Sequence, residues 1–109
     1  MPFDTISAVL PAFNEEDNIE KATTQMATVL RSLNLRDWEV IIVDDGSVDH
    51  TGEIADRLVA ADPDHIRVFH HSPNLGYAQA LRTGFTSARH QLIFYTVSDN
   101  QFEVAEVKH

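Results

Sequence analysis

The 109-residue sequence contains no cysteine, which excludes disulfides and thiolate metal sites and fits a cytosolic setting. Glycine is scarce: Gly46, Gly52, Gly76 and Gly84 are the only four, and neither G-x-G-x-x-G nor G-x-x-x-x-G-K-[ST] occurs. A backbone cradle for phosphate is therefore not expected. Basic residues are also few, eight Lys+Arg against seventeen Asp+Glu, for a formal charge of −9. Without a basic run, a surface that tracks nucleic-acid phosphates is excluded. The same acidity repels an anionic substrate unless a divalent cation intervenes. No apolar span approaches the roughly 18 residues of a membrane helix, and no basic segment precedes an apolar stretch at the N-terminus, so neither a span nor a leader is expected. What remains is a chain with 43% hydrophobic residues, enough for one core, and a single domain is expected over 1–109.

The apolar runs are short and evenly spaced. Ile6-Ser7-Ala8-Val9-Leu10 reads as a strand ended by Pro11. Asn14 precedes Glu15, Glu16 and Asp17, as a cap and acids suit a helix N-terminus, and Ile19, Ala22, Met26, Val29 and Leu33 then follow at helical spacing. Val40-Ile41-Ile42-Val43 is β-branched without polar alternation, the pattern of a strand covered on both faces. Asp49 or Thr51 caps a helix carrying Ile54 and Leu58 and closed by Asp62-Pro63. Ile66–Phe69 is a third strand. A third helix follows Gly76 with Ala78, Leu81, Phe85 and Ala88 on one face, and Leu92–Tyr95 is a fourth strand. The order β-α-β-α-β-α-β predicts an α/β fold, a Rossmann-like parallel sheet with flanking helices.

Four polar clusters each follow a predicted strand: 11–15, 44–47, 70–74 and 98–101. In an open parallel sheet the C-terminal strand ends share one edge, where ligands bind in the crevice. Carboxylate and amide oxygens there suit Mg²⁺ or Mn²⁺, which often share substrate phosphates. Asp44 and Asp45 could instead accept hydrogen bonds from a base edge or ribose hydroxyls. Each cluster also has a plainer reading. Asp44-Asp45-Gly46-Ser47 suits an acidic turn, Asn14 a helix cap, and His70-His71 a solvated loop, since successive side chains of an extended chain point apart. His50, His65 and His90 read as surface residues, and Gly84 as a site of close helix-to-sheet approach. Only the shared edge accounts for all four clusters together.

The segments "VLPAFNEEDNI" (9–19), "VIIVDDGSVDHT" (40–51), "NLGYAQALRTG" (74–84) and "YTVSDNQF" (95–102) resemble, in order and spacing, the nucleotide-binding half of family 2 glycosyltransferases of the GT-A fold. The last segment is most similar to that of polyprenyl-phosphate sugar transferases. The resemblance implies inverting, metal-dependent transfer of a sugar from a UDP- or GDP-linked donor, with a lipid phosphate as acceptor. It implies nucleotide contacts from Pro11, Ala12, Asn14, Glu15, Asp44, Asp45 and Gly46, and from a segment containing Asn74 and Gly76 packed behind the sugar-nucleotide. It implies Mg²⁺ or Mn²⁺ at Asp99 and Gln101.

Two departures from the family pattern stand out. Val97 occupies the first Asp of the family's Asp-x-Asp motif and cannot coordinate a metal. The resemblance also places the acceptor site and the usual catalytic carboxylate beyond His109, so this chain is expected to be a truncated domain, inactive by itself and able to self-associate through the open edge of its fourth strand. Strand alternation is expected to put Val97 and Asp99 on one side, with Gln101 joining them if the chain stays extended. The setting implied is cytoplasmic, at the membrane surface for a full-length protein. The rival from the binding class is a nucleotide-binding module without catalysis. A phosphoacceptor receiver domain fits poorly: its acidic pair follows the first strand rather than the second, and it needs a late sheet lysine where this chain has only Lys21 and Lys108.

Overall fold

The computed structural model describes residues 4–90 with their side chains, together with the backbone of 92–98 and 101–106. Four strands run parallel: β1 (Thr5–Ala12), β2 (Asp37–Asp44), β3 (Ile66–His70) and β4 (Leu92–Ser98). Helices α1 (Ile19–Ser32), α2 (Thr51–Ala61) and α3 (Tyr77–Ser87) connect them in turn. A fifth strand, β5 (Gln101–Glu106), returns antiparallel to β4, and the sheet order is β3-β2-β1-β4-β5. The chain steps outward from β1 to β2 and β3, then crosses back to place β4 on the other side of β1. That reversal opens the crevice an α/β sheet offers to ligands.

The two faces of the sheet are divided by residue parity. Ile6, Ala8, Leu10, Val40 and Ile42 pack under α1 and α2 with Ile19, Met26, Ala27, Leu30 and Ala55. Val9, Ile41 and Val43 pack under α3 with Ala80, Leu81 and Phe85. Both faces of β2 are thus covered, which is why Val40–Val43 carries no polar alternation. Burying each such aliphatic side chain contributes about 1.5–3 kcal/mol over leaving it in water. Gly84 has the role expected of it: a Cβ there would overlap the side chain of Val9, so α3 lies closer to β1 than any other residue would permit.

Several expectations need correction. The fifth strand was not anticipated, and with it β4 lies between β1 and β5; the edges of the sheet are β3 and β5. On α1 the core row is Ile19, Thr23, Met26, Ala27 and Leu30, whereas Val29 is half exposed and Ala22 only partly buried. Both rows satisfy a three-and-four spacing, and the larger Leu30 takes the core. On α3, Ala78 is exposed and Ala80 is buried instead. Among the described residues no helix is long and apolar enough to cross a membrane.

Candidate functional site

The register of the parallel strands brings the polar clusters into one row. Ala12 pairs with Asp44, and Asp44 pairs with His70. The loops that leave β1 and β2 are then laced together. Asn14 is not the cap of α1, whose first residue is Ile19; its backbone has φ +53° and turns the loop instead. Its amide donates to Ser47 Oγ at 2.9 Å, and its Oδ1 accepts from the Val48 amide at 3.0 Å. The Glu15 amide donates to Thr51 Oγ1 at 2.7 Å, and the Glu16 amide to Asp49 Oδ2 at 3.2 Å. Asp49 Oδ1 accepts from the Thr51 amide at 2.9 Å, but the cap position of α2 is held by His50 and Thr51 is the first helical residue, so neither of the two expected candidates is the cap.

Beneath these loops sits the acidic pair, with both carboxylates buried. Because successive residues point apart, each aspartate meets a different histidine on a different face. On the α3 face, Asp45 Oδ1 lies 2.8 Å from His71 Nδ1 and accepts from the Leu75 amide at 2.9 Å. Its Oδ2 accepts from Asn74 Nδ2 at 2.9 Å and from the Gly76 amide at 2.8 Å. Burial alone would push Asp45 up; the Leu75 amide, His71 and the Gly76 amide outweigh it and hold the carboxyl below the usual range. On the α2 face, Asp44 Oδ1 accepts from the Ser47 amide at 3.1 Å, and its Oδ2 lies 2.8 Å from His70 Nδ1. Asp44 thus keeps acceptor capacity that Asp45 has spent on its own loop.

The glycines here are conformational. Gly46 has φ +75°, and a Cβ on it would lie 2.5 Å from the Asn74 amide nitrogen; Gly76 has φ +99° and opens α3. Both positions favour glycine because other residues enter this region at a cost. Pro11, Ala12, Asn14, Glu15, Asp44, Asp45, Gly46, Asn74 and Gly76 therefore all gather at one edge. Asp99 lies outside the described residues. Gln101 opens β5 and pairs with Ser98, and the register shifts between Thr96 and Ser98, at Val97. The chain therefore turns back instead of staying extended, and simple alternation cannot assign Val97, Asp99 and Gln101 to one side. Among the described residues no group of three or more His, Asp or Glu side chains is placed to hold a metal.

Sequence reasoning missed the histidines. His70 and His71 are not a solvated loop: His70 closes β3, and His71 Nε2 lies 2.8 Å from Thr83 Oγ1 on α3. The signal available was register, since a residue ending β3 faces the residue ending β2. His65 is likewise no plain surface residue; its ring stacks on Trp38 with centroids 3.9 Å apart. His90 is largely buried, and its amide donates to Ser7 Oγ at 3.2 Å. His50 does lie at the surface, with Nδ1 2.8 Å from Glu16 Oε2. Phe13, Val48 and Leu75, large and exposed, stand on the loops of the same edge, with Tyr77 exposed at the start of α3.

The sequence model described as "Glycosyl transferase family 2" matches residues 7–108. Glycosyltransferase AglD of Haloferax volcanii is 42% identical over 95 residues, covering 86% of this chain and 15% of that protein. Polyprenol monophosphomannose synthase of Mycolicibacterium smegmatis is 31% identical over 84 residues, 77% of this chain and 30% of that protein. Dodecaprenyl-phosphate galacturonate synthase of Rhizobium johnstonii is 32% identical over 102 residues, 94% and 30% respectively. The chain thus spans less than a third of the length of these relatives. Among solved structures, the mannosyltransferase PcManGT from Pyrobaculum calidifontis, in complex with GDP-Man and Mn²⁺, superposes over 84% of this chain and 26% of that one with a TM-score of 0.70 at 24% identity. Sequence and fold agree, and the chain belongs to glycosyl transferase family 2.

Proposed function

We propose that the C-terminal edge of the sheet binds the nucleotide of a nucleotide-sugar, and that in the longer proteins of this family the same edge serves inverting sugar transfer to a polyprenyl phosphate. The observation that carries the reading is the register: Ala12, Asp44 and His70 stand in one row, with the loops around them cross-linked by side-chain to backbone hydrogen bonds. Such a preorganised edge binds without first ordering itself, which lowers the cost of association. The relatives named for polyprenyl-phosphate sugars support the substrate class, and GDP-Man in the superposed mannosyltransferase supports a nucleotide-sugar donor.

In this reading Pro11, Ala12, Asn14 and Glu15 line one side of the nucleotide, the acidic pair meets base or ribose, and Asn74 and Gly76 back the sugar. Asp99 and Gln101 would hold Mg²⁺ or Mn²⁺, for which carboxylate and amide oxygens are fitting donors. A bound cation supplies neutralisation of the leaving diphosphate. The setting is the cytoplasm, at the membrane face where a lipid phosphate is presented, and a second copy would pair along β3 or β5. Val97, in place of a carboxylate, favours a second reading, a module that binds nucleotide without transferring the sugar.

Calorimetric titration of the chain with GDP-mannose and with UDP-glucose, with and without Mn²⁺, tests the proposal. At least one is expected to bind, and Asp44→Ala to weaken it by about 1–3 kcal/mol through loss of a buried acceptor. Binding unaltered by Asp44→Ala removes Asp44 from the site, and absence of binding to either donor sinks the reading.

A further inference from the structure

His70 stands between two carboxylates. Its Nδ1 is 2.8 Å from Asp44 Oδ2 at the end of β2, and its Nε2 is 2.9 Å from Asp56 Oδ1 on α2. A neutral imidazole carries one N–H and one lone pair, whereas an ionised carboxylate only accepts. Neutral His70 can therefore satisfy one of these contacts and must set a lone pair against an anionic oxygen at the other. Only the imidazolium donates to both. His71 next door is under no such demand, because its second partner is the Thr83 hydroxyl, which donates as readily as it accepts.

The packing around Asp44 makes this bridge matter to the edge. Gly52, in the first turn of α2, lies so close that a Cβ on it would approach Asp44 Oδ2 to 2.8 Å and His70 Cε1 to 3.4 Å. The carboxylate is thus held between the start of α2 and the His70 ring. The charged groups facing His70 are Asp44 from β2 and Asp56 from α2, both acidic. Its side chain is 41% exposed, so protons exchange with solvent freely.

We propose that His70 is a protonation-dependent positioning residue: as the imidazolium it bridges Asp44 and Asp56, fixing the Asp44 carboxylate and cancelling one negative charge at the edge that receives the nucleotide. The inference rests on the nucleotide-binding reading above. Deprotonation takes the Asp44–His70–Asp56 cluster from a net charge of −1 to −2 and frees the Asp44 side chain to reorient. Affinity for an anionic diphosphate ester then falls as pH rises. The direction in which the two carboxylates move the ring agrees: burial would lower its pKa, but Asp44 and Asp56 together raise it above the ordinary histidine range.

Two measurements decide it. In the first, the chain without nucleotide is titrated by NMR of the histidine ring protons across about pH 5 to 8. His70 is expected to titrate above an ordinary histidine and to fall back in Asp56→Asn, a change at a side chain that is 63% exposed. In the second, affinity for GDP-mannose and UDP-glucose is measured over the same range; both phosphates are esterified, so the ligands do not titrate there. The parent is expected to lose several-fold in affinity toward high pH, and His70→Gln, which keeps one donor, to give a flat profile. A His70 that titrates at or below the ordinary value, or equal pH profiles for parent and His70→Gln, overturns the proposal. If neither donor binds at any pH, the nucleotide reading fails and takes the affinity role of His70 with it, while the NMR titration still reports whether the bridge exists. Should His70→Gln not fold, Asp56→Asn replaces it, with a shallower pH profile expected.

Discussion

The two ends of β2 both carry buried carboxylates, and β3 supplies a basic partner at each end, yet the chemistry differs. Near the start, the Glu39 side chain is 2% exposed and accepts from Ser7 Oγ at 2.6 Å, Arg67 Nε at 2.9 Å and the Arg89 amide at 2.7 Å. Arg67 also donates to the Ser87 carbonyl oxygen at 2.6 Å, so this one acid ties β1, β2 and β3 to the end of α3. At the other end Asp44 and Asp45 meet histidines, with backbone amides filling the rest of their valence. A guanidinium stays charged in any folded protein, whereas an imidazole changes charge near neutrality. The closed end is thus a permanent junction, whereas the open end includes the His70 imidazole, held between two carboxylates, whose charge changes with pH.

The sharpest way to break this comparison is Glu39→Ala. Removing one partner of a buried pair leaves the other uncompensated, at a cost of about 3–5 kcal/mol. The partial exposure of Arg67, 23%, puts the expected loss at the lower end, about 3 kcal/mol, read from urea unfolding. A loss below about 1 kcal/mol would show that water replaces Glu39 at no great cost and that the junction is not structural.

The second change concerns the open end. Asp45→Ala strips acceptors from the Leu75 and Gly76 amides, Asn74 and His71, all in the β3–α3 loop or just before it. Water reaches this edge, so the expected loss is smaller, about 1–3 kcal/mol, with hydrogen exchange rising at Leu75 and Gly76 before the core strands respond. If exchange rises evenly across the sheet, Asp45 belongs to the global core and the two ends do not differ as described.

Much of this was legible in the sequence, and the omissions share a cause. Periodicity found β1 to β4 and all three helices, because continuous β-branched runs and three-and-four spacing follow directly from what each face buries. The convergence of the clusters that follow β1, β2 and β3 came from topology alone, whereas Asp99 and Asn100 of the fourth lie outside the described residues. Glu39 was invisible: one charged residue beside Val40 reads as a strand end, and only β1, β3 and α3 folding over it make it an interior group. β5 was missed because "QFEVAE" is short and alternates Phe102 and Val104 with acids, the pattern of a one-sided strand and not the continuous apolar run that marks a buried parallel one. His70 and His71 required the β2–β3 register, a long-range fact that no local pattern encodes.

The smallest expected effect is the one that separates the two ends most directly. A histidine whose pKa is raised in the folded state contributes stability that is fully present below its unfolded value and is lost as pH rises through the folded value. His70 is such a group. Asp45 has the opposite sign: its depressed pKa contributes stability above the ordinary carboxylate range that is lost only as pH falls through the lower value. The open end should therefore be most stable in mildly acidic solution, weakening on the alkaline side through His70 and on the strongly acidic side through Asp45. At 41% exposure the His70 contribution is screened by solvent, to less than about 1 kcal/mol. His50 is raised too, by its hydrogen bond with Glu16, so the parent's slope alone cannot assign the effect. The difference between parent and His70→Gln can, because His50 is common to both. Urea unfolding of the two chains at about pH 5.5, 6.5, 7.5 and 8.5 is expected to show the parent's advantage shrinking as pH rises through the His70 transition. Parallel pH dependences for the two chains would mean that His70 carries no charge-dependent contact, and the open end would then be as fixed as the Glu39 junction.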